Sequence, residues 1–261
     1  MDFLVLILML GFTISVLSGF LGIGGGIIMA PALLYLPPLL GIGQFDMKLV
    51  TGLTITQGLF ACLSGALHHN KHRRVHRKLV AWMGGTLLVS ALAGSILSGW
   101  MANETLMLVF AGLAITAAIL MCFPKEDGEE VKNADTCSFN TPLAVAIAMV
   151  VGLLAGTVGQ GGSFILIPLM LCALRLPTRV VIGTNLALVF FSSLAGFAGK
   201  LATGQIPFVP AVMLAVGALA GAQLGSVLSK RTRPGWLRFT LAIVVALAAL
   251  RIGADALAGL E

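Results

Sequence analysis

The chain has 261 residues, of which 58% are hydrophobic and only 10% are charged, and its net charge is +6. Because a soluble domain carries roughly 25% charged residues, this composition excludes an ordinary water-soluble domain and favours a membrane protein. The basic residues stand in short loops and form no basic face interleaved with aromatic residues, so we expect no nucleic-acid partner.

Apolar segments that suit membrane helices recur along the whole chain. The first five lie at residues 3–21, 27–40, 49–67, 79–99 and 105–123. The next five lie at residues 143–158, 164–174, 180–198, 208–228 and 236–254. The second segment of each set is the short one, and the alternation of a membrane β-barrel is absent. The sequence therefore predicts an all-α integral membrane protein.

A polar segment separates the two sets of apolar segments. Residues 124–142 contain five acidic residues and two lysines, which indicates a solvated cytoplasmic linker. We therefore divide the chain into a first membrane repeat (1–123), the acidic linker (124–142) and a second membrane repeat (143–261).

An internal repeat supports this division, because residues 18–31 align without gaps to residues 155–168. The matching residues of the two segments are Gly19, Gly22, Gly24, Gly25 and Pro31 in the first and Gly156, Gly159, Gly161, Gly162 and Pro168 in the second. Further on, Ala93-Gly94 matches Ala220-Gly221. This ordered set of matches predicts that the halves are two copies of one unit.

The number of crossings sets the relative orientation of the halves. Each half crosses the membrane five times if all of its segments cross, and three times if its first two segments form a re-entrant hairpin. The sequence leaves both possibilities open, and both numbers are odd. In either case the second half enters the membrane from the opposite face, which predicts inverted repeats. The basic loops at residues 68–78 and 229–235 then share one face, which is cytoplasmic by the positive-inside rule. Both termini are predicted to be periplasmic.

Two glycine-rich motifs occupy equivalent positions in the halves, and each is followed by a short segment that is predicted to form a helix ending near a proline, Pro31 in the first half and Pro168 in the second. One interpretation is close helix packing, in which small residues let backbones approach. The other is a broken helix at each motif, whose free N–H ends face a central anion site. The second interpretation predicts substrate contacts from Gly22, Gly24, Gly25 and Gly26, and from Gly159, Gln160, Gly161, Gly162 and Ser163.

Polar residues inside the apolar segments are the other candidates for substrate binding. Gln57 and Asn185 are costly to bury in a membrane, which makes them informative. Thr54 and Asn185 occupy equivalent repeat positions, and Thr184 precedes Asn185. A hydroxyl in a membrane helix often bonds to its own preceding turn, so each threonine also has a purely structural interpretation. Our predicted set is Thr54, Gln57, Thr184 and Asn185.

Several kinds of chemistry lack the residues they need. Asp46 and Glu104 fall at segment ends, and no carboxylate lies in the middle of a segment. This argues against a proton relay, a cation carrier and an intramembrane protease. No Walker motif for ATP is present. We therefore expect no enzyme activity and no cofactor.

The first basic loop contains His68, His69, His72 and His76. Their spacing of four residues suits a metal site on a helix, but the neighbouring lysines and arginines oppose a cation. We therefore expect no metal, and a basic loop that contacts lipid headgroups. Lys200 is placed at the outer end of a segment, where it either attracts anions or anchors the helix at the membrane interface.

The paired glycine motifs, the Gly183-Thr184-Asn185 sequence and the two-half hydropathy resemble the sulfite exporter TauE/SafE family, over residues 8–252. The resemblance implies inner-membrane transport of a small sulfur-containing anion such as sulfite or an organosulfonate. One departure is that the first half has Leu53-Thr54 where the second has Thr184-Asn185.

The function predicted from the sequence is a secondary transporter, an exporter that works by alternating access. Its expected partners are the sulfur anion and membrane lipids, and a homodimer is left open. The alternatives are a membrane subunit with a metal- or redox-responsive role, and a cation carrier.

Overall fold

The computed structural model describes residues 3–21, 26–69, 75–122, 137, 139–228 and 250–255. Within these ranges the chain is helical without any strand, which confirms the predicted all-α fold. The described ranges contain nine helices before the helical residues 250–255. They are α1 (Phe3–Leu21), α2 (Gly26–Leu39), α3 (Met47–His69), α4 (Arg77–Leu97, with a π-helical segment at Val80–Gly84), α5 (Asn103–Cys122), α6 (Thr141–Val158), α7 (Ser163–Cys172), α8 (Thr178–Ala202) and α9 (Phe208–Leu228).

Five of the described helices, α4, α5, α6, α8 and α9, are long and apolar enough to cross a membrane. The second helix of each half is short, as predicted, with 14 residues in α2 and 10 in α7. At 1.5 Å per residue, α7 is about 15 Å long, roughly half the thickness of a membrane's hydrocarbon core.

Three prolines lie elsewhere than the sequence predicted. Pro31 is inside α2 and Pro168 is in the middle of α7, where we expected each near the end of its short helix. Pro142, which we assigned to the linker, belongs to the first turn of α6, where its missing N–H costs nothing. The side chain of Asn140 caps that turn by accepting a hydrogen bond from the N–H of Leu143 (3.2 Å). The linker therefore ends before the residue at which we placed its boundary.

The first helix of each half packs against the fourth helix of the other half. α1 lies along α9, and α6 lies along α4. A Cβ on Gly221 would overlap the backbone of α1, and one on Gly94 or Gly156 would overlap the backbone across the α4–α6 contact. These glycines therefore serve close helix packing, because a residue without a side chain lets two backbones approach.

The third helices, α3 and α8, pack against each other, and each also contacts several other helices; we call this contact the α3–α8 crossing. Residues 51–59 of α3 are buried on every side, as expected for a helix surrounded by other helices. Ile55 of α3 packs over Gly196 of α8, and a Cβ added to Gly196 would lie 3.0 Å from Cδ1 of Ile55. This crossing carries most of the buried polar side chains that form the candidate site.

Candidate functional site

The second glycine motif forms a break between two helices. α6 ends at Val158 and α7 begins at Ser163. The φ angles of Gly159, Gly161 and Gly162 are 68°, 63° and 78°, a left-handed conformation that glycine adopts without a Cβ penalty. The first turn of α7 therefore follows directly on a sharp turn of the chain, and its first N–H groups have no acceptor within the helix. The residues of the first motif that lie outside the described ranges are Gly22, Gly24 and Gly25.

The glycine turn is in close contact with both α3 and α8. A Cβ on Gly159 would overlap the carbonyl oxygen of Thr51 in α3. A Cβ on Gly161 would lie 2.5 Å from Oγ of Ser193 in α8, closer than carbon and oxygen atoms can approach. The turn thus contacts one helix of each half, and only glycine fits at these contacts.

The start of α2 meets the same turn. Nε2 of Gln160 donates a hydrogen bond to the carbonyl oxygen of Gly26 (2.9 Å). A Cβ on Gly26 would lie 3.1 Å from Oε1 of Gln160. The first described residue after the first glycine motif is therefore in direct contact with the second motif, and two predicted site residues from different halves are brought together.

Six buried polar atoms of the described residues have no hydrogen-bond partner. They are Oε1 of Gln57, Oε1 of Gln160, both Nδ2 and Oδ1 of Asn185, Oγ of Ser192 and Oγ of Ser193. A buried polar atom without a partner costs about 1–3 kcal/mol, so native proteins pair nearly all of them with protein groups or water. A cluster of such atoms indicates a place where water or a polar ligand binds.

Four of these six atoms belong to three side chains on one side of α8. Asn185 precedes Ser192 and Ser193 by seven and eight residues, which places the three side chains on one helix face about two turns apart. Ser193 is the residue beside Gly161. On the facing helix α3, Nε2 of Gln57 donates to Oγ of Ser15 (2.9 Å), while its carbonyl oxygen has no partner. The α3–α8 crossing therefore carries both donors and acceptors for a ligand.

Three predicted site residues, Thr54, Thr184 and Ser163, contribute none of the six unpaired atoms. The hydroxyl of Thr54 donates to the carbonyl oxygen of Thr51 in its own helix (3.0 Å), the structural role that we weighed for membrane threonines. The hydroxyl of Thr184 accepts a hydrogen bond from the N–H of His76 (3.1 Å) and so contacts the start of α4. Ser163, the first residue of α7, is buried.

His76 is a helix cap, and our assignment of it to an exposed basic loop was wrong. It is 1% exposed, and its Nδ1 atom accepts a hydrogen bond from the N–H of Leu79 (3.2 Å). Because Nδ1 is an acceptor, Nε2 carries the proton and donates it to the carbonyl oxygen of Cys137 (3.0 Å). Both ring nitrogens are therefore engaged in structural contacts. Of the other histidines, His72 lies outside the described residues, and the side chains of His68 and His69 are not described.

Lys200 is fully buried, so the interface anchor that we considered for it is wrong. Its Nζ atom lies 2.9 Å from Oγ1 of Thr51, 2.9 Å from Oγ of Ser98, 3.0 Å from Oε1 of Gln205 and 3.1 Å from the carbonyl oxygen of Thr157. A charged side chain buried at the inter-helix contact is rare and commonly functional in membrane proteins.

Ser192 and Ser193 are not among the site residues predicted from the sequence. One signal in the sequence would have found them together with Lys200. Lys200 follows Ser193 by seven residues, and Ser192 follows Asn185 by seven, so the four residues form one polar strip along α8.

Long apolar helices around a buried polar centre define the class of this protein, a multi-pass helical membrane protein. The family model described as "Sulfite exporter TauE/SafE" matches residues 7–252. The chain belongs to that family.

Curated relatives match nearly the whole chain. The "Probable membrane transporter protein YunE" of Bacillus subtilis is 27% identical over 266 residues, which cover 95% of this chain and 96% of the relative. The "Probable membrane transporter protein YdhB" of the same organism is 28% identical, covering 85% of this chain and 88% of the relative. The "Probable membrane transporter protein MJ0441" of Methanocaldococcus jannaschii is 22% identical, covering 92% and 91%. No solved structure matches the chain.

Proposed function

We propose that this protein is a secondary transporter that exports a small sulfur-containing anion, such as sulfite or an organosulfonate, across a bacterial inner membrane. The observation that carries the proposal is the cluster of unpaired polar atoms where the second glycine turn meets the α3–α8 crossing. The family description supports the choice of a sulfur oxyanion. In this proposal the protein is not an enzyme, because its polar centre binds and releases its ligand unchanged.

The chemistry of the cluster suits an oxyanion. The amide of Asn185 and the hydroxyls of Ser192 and Ser193 supply hydrogen-bond donors. Several neutral donors at a helix N-terminus stabilise a small anion, because the first N–H groups of the helix also point towards it. Among the described residues, Asp46 and Glu104 lie at helix ends, and Asp255 accepts a hydrogen bond from the hydroxyl of Tyr35 in α2 (2.7 Å), so no described carboxylate contributes a negative charge that would repel the anion from the crossing.

The helix pairing supports alternating access between two halves of opposite orientation. The two third helices pack against each other, and α1 packs on α9 as α6 packs on α4. In both pairs, the first helix of one half packs on the fourth helix of the other half. Two inverted copies of one unit, related by a two-fold axis through the α3–α8 crossing, would produce this reciprocal packing. Rocking of one half against the other then exposes the crossing first to the cytoplasm and next to the periplasm.

The membrane potential provides sufficient driving force for export. With the cell interior negative, each exported negative charge gains roughly 2.3 kcal/mol per 100 mV. A divalent anion gains twice that amount, so no coupling ion is required. The described carboxylates, none of which lies in the polar cluster, agree with a carrier without an acidic proton relay.

Asn185→Leu tests the site, with the detergent-solubilised protein and a thermal-shift screen of sulfite, thiosulfate, methanesulfonate, sulfate and divalent metals. We expect a sulfur anion to stabilise the wild-type protein, in proportion to ln(1 + [L]/Kd). The variant is expected to bind that anion ten- to a hundredfold more weakly, because a hydrogen bond to a charged group contributes about 1.5–3 kcal/mol. Its melting temperature without ligand should stay unchanged or rise, because two unpaired buried atoms are removed.

Thr116→Val is the matched control for this screen. The Thr116 hydroxyl is exposed and bonds to the carbonyl oxygen of Gly112 in its own helix (2.7 Å), so its removal should leave anion binding unchanged. A lower melting temperature of Asn185→Leu with unchanged anion affinity would show that the amide is structural. Stabilisation by divalent metals alone would instead favour the metal-responsive or cation-carrier alternatives.

The proposed orientation places both termini in the periplasm and the linker in the cytoplasm. The test is a cysteine introduced by Glu129→Cys in a variant without the four native cysteines, labelled in intact cells by a membrane-impermeant maleimide. We expect no labelling until the cells are opened, because the linker is predicted to lie on the same face of the membrane as the basic loops, which is the cytoplasmic face. A cysteine added at the N-terminus should be labelled in intact cells. Labelling at position 129 from outside would reverse the proposed topology.

A further inference from the structure

Lys200 has four partners in the described part of the chain, and all of them are neutral oxygen atoms. They are the hydroxyls of Thr51 and Ser98, the side-chain carbonyl of Gln205 and the main-chain carbonyl of Thr157. The hydroxyl groups have other acceptors for their own protons. Thr51 donates to the carbonyl oxygen of Lys48 (2.8 Å). The hydroxyl oxygen of Thr51 therefore accepts a hydrogen bond from Nζ of Lys200.

Ser98 has a similar arrangement, since its hydroxyl lies 2.6 Å from the carbonyl oxygen of Ser95, the shorter of its two contacts as a donor, and 3.1 Å from Oε1 of Gln205. The orientation of the Gln205 amide is fixed as well. The hydroxyl of Thr203 donates to the carbonyl oxygen of Gly199 (3.0 Å), so it must accept the proton of Nε2 of Gln205 (2.7 Å). The Oε1 atom of Gln205 consequently faces Lys200 as an acceptor.

Four oxygen atoms around one nitrogen favour the charged form of the lysine. A neutral amine has two N–H donors and a lone pair, so it can donate to only two of the four oxygen atoms, and its lone pair faces another unless a hydroxyl turns its proton towards it. An ammonium has three donors and no lone pair, so it donates to three of them and meets none with a lone pair. The geometry therefore holds a buried positive charge at Lys200, and no described carboxylate forms an ion pair with it.

This charge lies close to the polar cluster of the proposed transport site. Lys200 follows Ser193 by two turns on the same face of α8, which separates their backbones by about 10 Å. Its partner Thr51 is the residue whose carbonyl oxygen contacts Gly159 of the helix break. The carbonyl of Thr157 belongs to the last turn of α6, directly before the same break. Lys200 and the unpaired polar atoms thus adjoin the two sides of one glycine turn.

The contacts of Lys200 also join the two halves of the chain. Thr51 in α3 and Ser98 after α4 belong to the first half, whereas Lys200, Thr157 and Gln205 belong to the second. Any movement of one half against the other at this end of the bundle must break the hydrogen bonds from Nζ to Thr51 and Ser98. An anion is the one partner that compensates both the lost hydrogen bonds and the buried charge.

We propose that the Lys200 ammonium is the positive group that binds the transported anion at this end of the bundle, and that its four neutral partners hold the ammonium in place when no anion is bound. This inference rests on the proposed function, because it assigns a second contact to the same anion. The neutral oxygen atoms compete with the anion for the ammonium, so binding and opening are coupled at Lys200.

The first test is Lys200→Met, which keeps an unbranched side chain and removes the charge. With sulfite, thiosulfate and methanesulfonate as probes, we expect at least a tenfold loss of affinity in thermal-shift titrations, and Lys200→Arg should recover part of it. The matched control is Lys48→Met. The Nζ atom of Lys48 donates to the carbonyl oxygen of Gly99 (3.1 Å) at the same end of the bundle, next to Ser98 in sequence. This control should bind the probes like the wild type.

The second test is Ser98→Ala, which gives an outcome that a purely structural lysine would not produce. Removal of one competing acceptor frees the ammonium, so we expect the probes to bind roughly three- to tenfold more tightly. If Lys200 only holds helices together, Ser98→Ala will lower the melting temperature and leave the affinity unchanged. The anion affinity of Ser98→Ala therefore tests whether Lys200 binds the anion even if Lys200→Met fails to fold.

The outcomes separate this inference from the proposed function. Wild-type affinity in both Lys200→Met and Ser98→Ala, with a wild type that binds the probes, would overturn the role of Lys200 and leave the anion transporter intact. A wild type that binds none of the three anions would overturn the proposed function and this inference together.

Discussion

Gly159→Ala is expected to abolish measurable anion binding, the largest effect that we predict for a single methyl group. The residue has a φ of 68°, and its added Cβ would overlap the carbonyl oxygen of Thr51 in α3. Neither atom can yield by a side-chain rotation, because the obstacle is backbone. The turn must therefore move away from α3, and with it the first turn of α7 and the neighbouring Gln160.

The control for this substitution is Gly41→Ala. Gly41 has nearly the same φ, 67°, but nothing lies within 4 Å of a Cβ at that position. Both variants carry the left-handed strain of about 1–2 kcal/mol, and only Gly159→Ala carries the clash. Thermal-shift titration of both purified variants with sulfite measures the difference. Anion affinity in Gly159→Ala within a factor of two of that in Gly41→Ala would contradict the close approach.

A valine at Gly162 is expected to disturb the same turn less than an alanine at Gly159 does. The added Cβ at Gly162 would meet Cγ1 of Val151 at 3.0 Å and Cβ of Ala155 at 3.1 Å, so the obstacle consists of side-chain methyl groups. The glycine motifs themselves predict that valine at Gly25 or Gly162 abolishes transport while the protein still inserts, because a β-branched side chain strains a turn with positive φ. For Gly162, the structure gives two causes for such an effect, the φ of 78° and the two methyl contacts.

Gly94→Val and Gly221→Val are each expected to prevent accumulation of folded protein. A Cβ on Gly94 would overlap the carbonyl oxygen of Leu153 across the α4–α6 contact, and one on Gly221 would overlap that of Phe12 across the α1–α9 contact. Two helices at such a distance have no room to rotate past each other, so the side chain must separate them along much of their length. Losses of several kcal/mol follow when a core contact is forced apart.

The measurement is the yield of monodisperse protein in fluorescence-detected size-exclusion chromatography of detergent extracts. Gly112→Val serves as the control, because Gly112 lies in α5 with nothing within 4 Å of an added Cβ, and it should accumulate like the wild type. Equal yields of all three variants would show that the two helix pairs are farther apart than described here. A loss in only one of the two would mean that the pairs contribute unequally to stability.

Local sequence patterns were sufficient to predict the helical membrane fold and much of the polar centre. Apolar segments of sufficient length have one low-energy arrangement in lipid, because a helix pairs its own backbone groups. The break at Gly159, Gly161 and Gly162 was predictable for the same local reason, since only glycine tolerates such backbone angles. Gln57 and Asn185 were identified by the cost of burying an amide in an apolar segment, and both contribute unpaired atoms at the crossing.

The tertiary structure alone decided the partners of the polar side chains. Lys200 near the end of a helix has the same sequence context whether it reaches the membrane surface or turns inward, and only the meeting of α3, α4, α6 and α8 around it decides between the two. His76 and Thr184 are separated by 108 positions and pair because α4 begins beside α8. Hydropathy and spacing depend on neighbours along the chain, whereas hydrogen-bond partners depend on neighbours in space, so the sequence indicated which residues are costly to bury, and the packing of the helices determined what each of them contacts.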